Sequence, residues 1–135
     1  MKIVSNYLVH NDCYKSGRTI KPIGMQLHTI GTAQNTASQL ASYWNQSGTG
    51  ACVHYCVDAE REGLVYQFLP DNRRSWADKG FGNNNLITVE LMESDFMRYT
   101  GGANYVITND AKFRSNITTA YNTAVQFFAQ KCKQY

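Results

Sequence analysis

The sequence predicts an α/β domain, and three stretches carry that prediction. Gly24–Gly31 is a short apolar segment bracketed by glycines, which reads as a strand with a turn at each end. Leu86–Met92 carries apolar residues on both faces, the pattern of a strand buried inside a sheet. Phe113, Ile117, Tyr121, Ala124, Val125, Phe128 and Cys132 recur at steps of three and four, the stripe of an amphipathic helix lying on a sheet.

At 135 residues the chain is long enough for one domain with a core of its own. Aromatic residues make up 13% and charged residues 17%, a balance that excludes a disordered chain. Net charge is 13 − 10 = +3. That suits adhesion to an anionic surface, such as a polymer decorated with carboxylates or phosphates. It falls short of a nucleic-acid footprint, because no block of like charge is present beyond Arg73-Arg74. Cys52 and Cys56 sit four apart on a predicted strand, roughly 13 Å at strand rise and too far for a disulfide with each other. With Cys13 and Cys132 they read as free thiols of a protein made in a reducing compartment. The first residues hold no apolar signal core, which predicts that a classical secretory leader is absent, and no run is long enough to span a bilayer.

In chain order, Ile3 to Val9 reads as a strand or an extended arm, followed by turn-like residues and by Pro22 at the entry to a central strand. In that strand Gln26 and His28 face one way, and Met25, Leu27 and Thr29 the other. A histidine at the C-terminal end of a sheet strand stands where ligands and metals collect in α/β folds; the residues alone leave it open whether His28 is a ligand or a hydrogen-bonded core histidine. A helix is expected from Thr32, its N-cap, to the glycines at 48–50, with Ala33, Ala37, Leu40, Ala41 and Trp44 inward. Cys52–Asp58 and Leu64–Leu69 form two strands around a turn at 59–63. Residues 71–85 read as a loop carrying Trp76. Glu90 is a carboxylate on a buried strand, costly unless paired or used, and burial raises its pKa toward the range of a general base.

Leu27-His28-Thr29, then Val53-His54-Tyr55-Cys56-Val57-Asp58, Gly63-Leu64-Val65-Tyr66-Gln67, Ser75-Trp76-Ala77, and Asn83 ahead of Ile87-Thr88-Val89-Glu90-Leu91 form an ordered set. The set resembles the type 2 N-acetylmuramoyl-L-alanine amidases, the zinc amidases of phage endolysins and bacterial autolysins related to peptidoglycan-recognition proteins. The resemblance spans roughly Gln26 to Met92. It implies a mixed central sheet flanked by helices, with Zn2+ as cofactor in a surface groove. It also implies hydrolysis of the amide between N-acetylmuramic acid and L-alanine in peptidoglycan. His28 matches the first zinc ligand and Glu90 the general base. His54, Trp76 and Asn83 match residues lining the substrate groove. Two positions depart from the pattern: Ala77 stands where the family carries a histidine, and Val53 where some members carry a tyrosine.

The family's remaining zinc ligands follow the last helix. Residues 1–135 therefore read as one amidase domain that lacks its C-terminal part and is inactive alone, and the identity of the other ligands stays open. The resemblance also implies a phage or prophage endolysin held in the host cytoplasm before lysis, acting on the cell wall without membrane insertion or nucleic acid. A muramyl-peptide binding module without catalysis is the alternative.

Overall fold

A computed structural model describes residues 1–135. Five strands form one mixed sheet: β1 (Lys2–Ser5), β2 (Gly24–Thr29), β3 (Tyr55–Val57), β4 (Leu64–Gln67) and β5 (Leu86–Leu91), in the order β1-β4-β3-β5-β2. Only β3 and β4 run antiparallel, joined by the turn at 59–63; the other three pairings are parallel. Strand β2, expected in the centre, is the edge, and β3 takes the middle. Periodicity sorts residues between faces but holds no information on strand order.

Helix α4 (Asp110–Gln134) covers one face. Asn109 caps it by accepting from the Lys112 N–H at 3.1 Å, and Ala120, Thr123, Ala124, Phe127 and Lys131 are buried. Phe127 stacks on Tyr55 at 4.7 Å between ring centroids, which marks the α4 face as that of Tyr55, Val57, Val89 and Leu91. Tyr121 and Val125 lie on the exposed side of the helix, so the apolar stripe is wider than its contact with the sheet.

Helix α2 (Ala37–Trp44) packs on the opposite face, where Trp44 meets Phe68 edge-on at 6.4 Å. Its N-cap, Thr36, lies four residues later than expected. Residues 30–35 are drawn to the end of β5 instead: Ile30 N–H donates to Leu91 O, and the Glu93 N–H to Gln34 O. Asn35 N–H donates to the Asp95 carboxylate at 2.9 Å. Thr36 stands at the N-cap without a side-chain bond. The buried Asp58 does that work, accepting from Ala37 N–H through Oδ2 and from Glu60 and Arg61 N–H through Oδ1. One carboxylate thus locks the β3–β4 turn to the start of α2.

Three further elements depart from expectation. A single-turn helix α1 (Asp12–Lys15) forms where turns were expected, capped by Asn11. A five-residue helix α3 (Phe81–Asn85) closes the 71–85 loop, and a hairpin of β6 (Met97–Gly101) and β7 (Asn104–Ile107) turns at Gly101 and Gly102, both at positive φ. The strand expected over 52–58 is shorter, because Cys52 leaves the sheet to form a bridge with Trp76. All four cysteines are free thiols, with Cys132 alone exposed. No helix is long and apolar enough to cross a membrane.

Candidate active site

Strands β2 and β5 run parallel with His28 opposite Glu90, and β3 places Cys56 on the other side of Glu90. Register partners share a face, so Gln26, His28, Thr88 and Glu90 form a polar row on the face away from α4. The row is costly in a sheet interior, and its polar atoms are not all matched. His28 Nε2, Glu90 Oε2 and Gln26 Oε1 are buried without a hydrogen-bond partner. Glu90 is 8% exposed. Burial, reinforced by the charge of Glu93, raises its pKa to about 7. A carboxyl raised toward neutral pH by burial, with one oxygen unpaired in register with an imidazole that has one nitrogen unpaired, suits proton exchange with a bound water.

Residues 30–34 follow β2 directly and form one wall of a groove of about 620 Å³ against α2, with Ile30, Thr32, Gln34, Leu40, Tyr43 and Trp44 on its sides. The groove opens two residues beyond His28. Glu93 braces this wall from behind, accepting from Gly31 N–H at 3.1 Å and from Tyr99 O–H at 2.7 Å. A second cavity, of about 520 Å³, lies between the β6–β7 hairpin and α4 on the other side of the sheet, lined by Thr29, Leu91 and Glu93 among others.

The other sequence-predicted site residues fall elsewhere. His54 is fully buried. Its Nδ1 accepts from Thr88 N–H at 3.0 Å and its Nε2 donates to Arg73 O at 2.7 Å. A ring with both nitrogens committed has none for a substrate, so His54 is a core fastener between β5 and the 71–80 loop rather than a groove residue. Burial pushes its pKa down to about 4. Asn83 is likewise turned inward. Its Oδ1 accepts from Ala77 N–H at 2.8 Å and Asp78 N–H at 3.0 Å, and its own N–H donates to Asp78 Oδ1 at 2.9 Å. It organises the 75–83 loop and presents nothing outward. Trp76 is half-buried against the core, its backbone paired with Cys52, and it lines none of the cavities. No sequence pattern singles out Glu93, and Gln26 is placed only by its strand face. The signal for Gln26 was there, two residues before His28 on the same strand face.

Zinc, the metal the family implies, would need donors from among these residues. His28 suits one coordination position, with a buried and unpartnered nitrogen. No three His, Cys, Asp or Glu side chains in residues 1–135 are placed to hold a metal ion. Cys56, the nearest thiol, is enclosed, and burial holds it well above its ordinary pKa. His10 is exposed, and its backbone N–H is bonded to Asn45 in the loop after α2. A catalytic zinc site takes three protein ligands. The donors within residues 1–135 do not make one.

The fold is a mixed sheet flanked by helices, with a buried carboxylate and an unpaired imidazole in register on one face. The N-acetylmuramoyl-L-alanine amidase family model matches residues 4–135, and the chain belongs to that family. No curated protein sequence matches it. Among solved structures, it is similar to PlyL (24% identity, TM-score 0.71, all of this chain and 75% of that one). It is also similar to the Staphylococcus aureus hydrolase AmiA in complex with its ligand (21%, 0.66, all of this chain and 57% of that one). A mutant endolysin from Bacillus subtilis matches at 24% and 0.60, over 70% of this chain and 63% of that one. The likeness to these structures is one of fold, and the chain spans 63% of the endolysin and 57% of AmiA.

Proposed function

We propose that the chain hydrolyses the amide joining N-acetylmuramic acid to L-alanine in bacterial peptidoglycan, with Glu90 as the general base. The observation that carries this reading is the unpaired Glu90 Oε2, buried and raised to about 7, in register with the unpaired His28 Nε2 on the fold of an amidase family. Glu90 takes a proton from the attacking water and returns it to the leaving alanine amine. The groove between residues 30–34 and α2, which starts at Ile30 two residues after His28, holds the muramyl peptide. Zinc is the cofactor that the family implies, and His28 is the one residue here offered to it. The biological role that fits is a phage or prophage endolysin, kept in the host cytoplasm until lysis and then acting on the wall.

A binding module is the second reading, and a specific observation favours it: the donors present supply a single free imidazole and no closed metal site. The test is incubation of the chain, with and without added Zn2+, with a muramoyl-L-alanyl peptide, scoring new alanine amino groups and, separately, bound peptide. Cleavage supports the hydrolase. Binding without cleavage in either condition supports the module.

A further inference from the structure

The cavity between the β6–β7 hairpin and α4 has a chemistry of its own. Its volume of about 520 Å³ lies within the span of small-ligand clefts, roughly 300–1,000 Å³. Thirteen residues line it, and Glu93 carries the one charged side chain among them. Glu93 is 7% exposed and in no ion pair; those formed are Arg61–Asp58, Arg114–Asp110 and Lys131–Asp71. Three cations flank lining residues in sequence, and all are turned elsewhere. Arg98 alternates with Met97 and Tyr99, which line the cavity, so it stands on the outer face of the hairpin. The Lys112 ammonium lies 4.7 Å from the centre of the Phe96 ring, and Arg114 is paired with Asp110. Within the site, Glu93 Oε1 accepts from Gly31 N–H and Oε2 from Tyr99 O–H. An ionised carboxylate has about four acceptor positions, so two stay open.

Aromatic rings stand around that carboxylate. Tyr99, whose O–H is 2.7 Å from Glu93, meets Tyr105 at 6.2 Å between ring centroids, and Tyr105 meets Phe113 at 6.1 Å. Tyr121 adds a further ring from α4. Ring faces attract cations through their quadrupole, and a buried carboxylate is costly without a counter-charge. Thr29 and Gly31 line this cavity, whereas Ile30, Thr32 and Gln34 line the groove, so the thickness of one extended segment separates the two.

We propose that this cavity binds an organic ammonium, a protonated amine on an apolar stem, with its nitrogen against Glu93 and its stem along Tyr99, Tyr105 and Phe113. Charge complementarity selects the occupant. An anion would meet Glu93 with no cation in the lining to offset it. A neutral apolar molecule would fill the space and leave the buried charge unanswered. The site stands apart from the proposed cleavage, since Gln26, His28, Thr88 and Glu90 are not among its lining residues.

The test is titration of the full chain at pH 7 with n-hexylammonium, followed by the chemical shifts of the tyrosine ring protons. The comparison probes are n-hexanol, hexanoate and N-acetylglucosamine. Hexylammonium should bind about tenfold more tightly than hexanol, which has the same stem without the charge. Glu93→Gln keeps a carbonyl oxygen for Gly31 and should erase that preference. Tyr105→Leu should weaken hexylammonium about fivefold. Tyr43→Leu, at an exposed tyrosine of the groove, should leave it unchanged. Circular-dichroism melts check that each variant folds; if Glu93→Gln does not, the hexanol comparison and Tyr105→Leu decide. Binding of any comparison probe as tight as that of hexylammonium overturns the inference, and so does equal loss in the two tyrosine variants. Absence of measurable hexylammonium binding at millimolar concentration overturns it as well.

Discussion

His28 and Glu90 stand opposite each other on neighbouring parallel strands, and each keeps one buried polar atom unpaired. Buried polar atoms are nearly always matched in folded proteins, so two adjacent exceptions mark a place built for something other than stability. The proposed activity uses both groups: Glu90 as a proton acceptor and His28 as a free imidazole.

Substituting Glu90→Gln separates those two demands. Turnover on a muramoyl-L-alanyl peptide should fall by about 10²–10⁴, the usual scale of general-base assistance. The melting temperature at pH 8 should hold or rise, because an amide replaces a carboxylate that burial makes costly to ionise. A variant with wild-type turnover would return Glu90 to a purely structural role.

His28→Ala should abolish cleavage and lower Zn2+ affinity, followed by titration with a chromophoric chelator, while the far-ultraviolet circular dichroism stays that of the parent. The fold survives because His28 sits on the edge strand, half-exposed, and its Nε2 makes no bond that the sheet depends on. Unchanged Zn2+ affinity would remove His28 from the metal's coordination.

Much of this arrangement is legible in the sequence, and the limits are physical. Alternation along Gly24–Thr29 and Leu86–Leu91 places His28 and Glu90 on defined faces, because the side-chain period of a strand is two whatever its neighbours are. The α4 stripe is legible for the same kind of reason. Long-range partners are not. The roles of His54 and Asn83 are decided by Thr88, Arg73 and Asp78, whose approach no local pattern records. The late start of α2 comes from Glu93 and Asp95, which claim the residues before it, and from Asp58, which caps its first N–H. The edge position of β2 is a matter of topology, invisible to periodicity.

His54 makes the fold sensitive to acid. Its pKa is about 4 when folded and 6.5 when free, so the unfolded chain takes up the proton first as pH falls. Its contribution is complete above pH 6.5, declines between 6.5 and 4, and is constant below. The integrated loss is about 3 kcal/mol. Glu90 acts in the opposite sense. Its raised value lets the folded state bind a proton first, so its cost is relieved as pH falls through about 7. The two partly cancel in the parent protein. Urea unfolding of the parent and of His54→Gln at pH 7 and pH 4 isolates the histidine: the gap between them should narrow by about 3 kcal/mol at the lower pH. A gap independent of pH would mean that His54 is charged in the folded protein.

The end of α4 is held by one carboxylate. Asp71 accepts from Lys131 Nζ at 2.7 Å, Tyr55 O–H at 2.5 Å and Tyr135 O–H at 2.8 Å. Burial pushes the Asp71 carboxyl up, but these three donors outweigh it and hold the group below its ordinary value. Lys131 is the more buried partner, its side chain 6% exposed, with its ammonium 4.7 Å from the centre of the Tyr55 ring. The asymmetry sets the outcome of substitution. Asp71→Ala leaves a buried ammonium without its counter-ion and should cost about 3 kcal/mol or more. Lys131→Met removes the buried charge together with its need for a partner and leaves Asp71 near solvent with two hydroxyl donors, so it should cost well under half as much. Chemical denaturation of the two variants at pH 7 checks the order. If Lys131→Met proved the more damaging, the anchor would reside in the lysine's stacking on Tyr55 and Phe127 rather than in the ion pair.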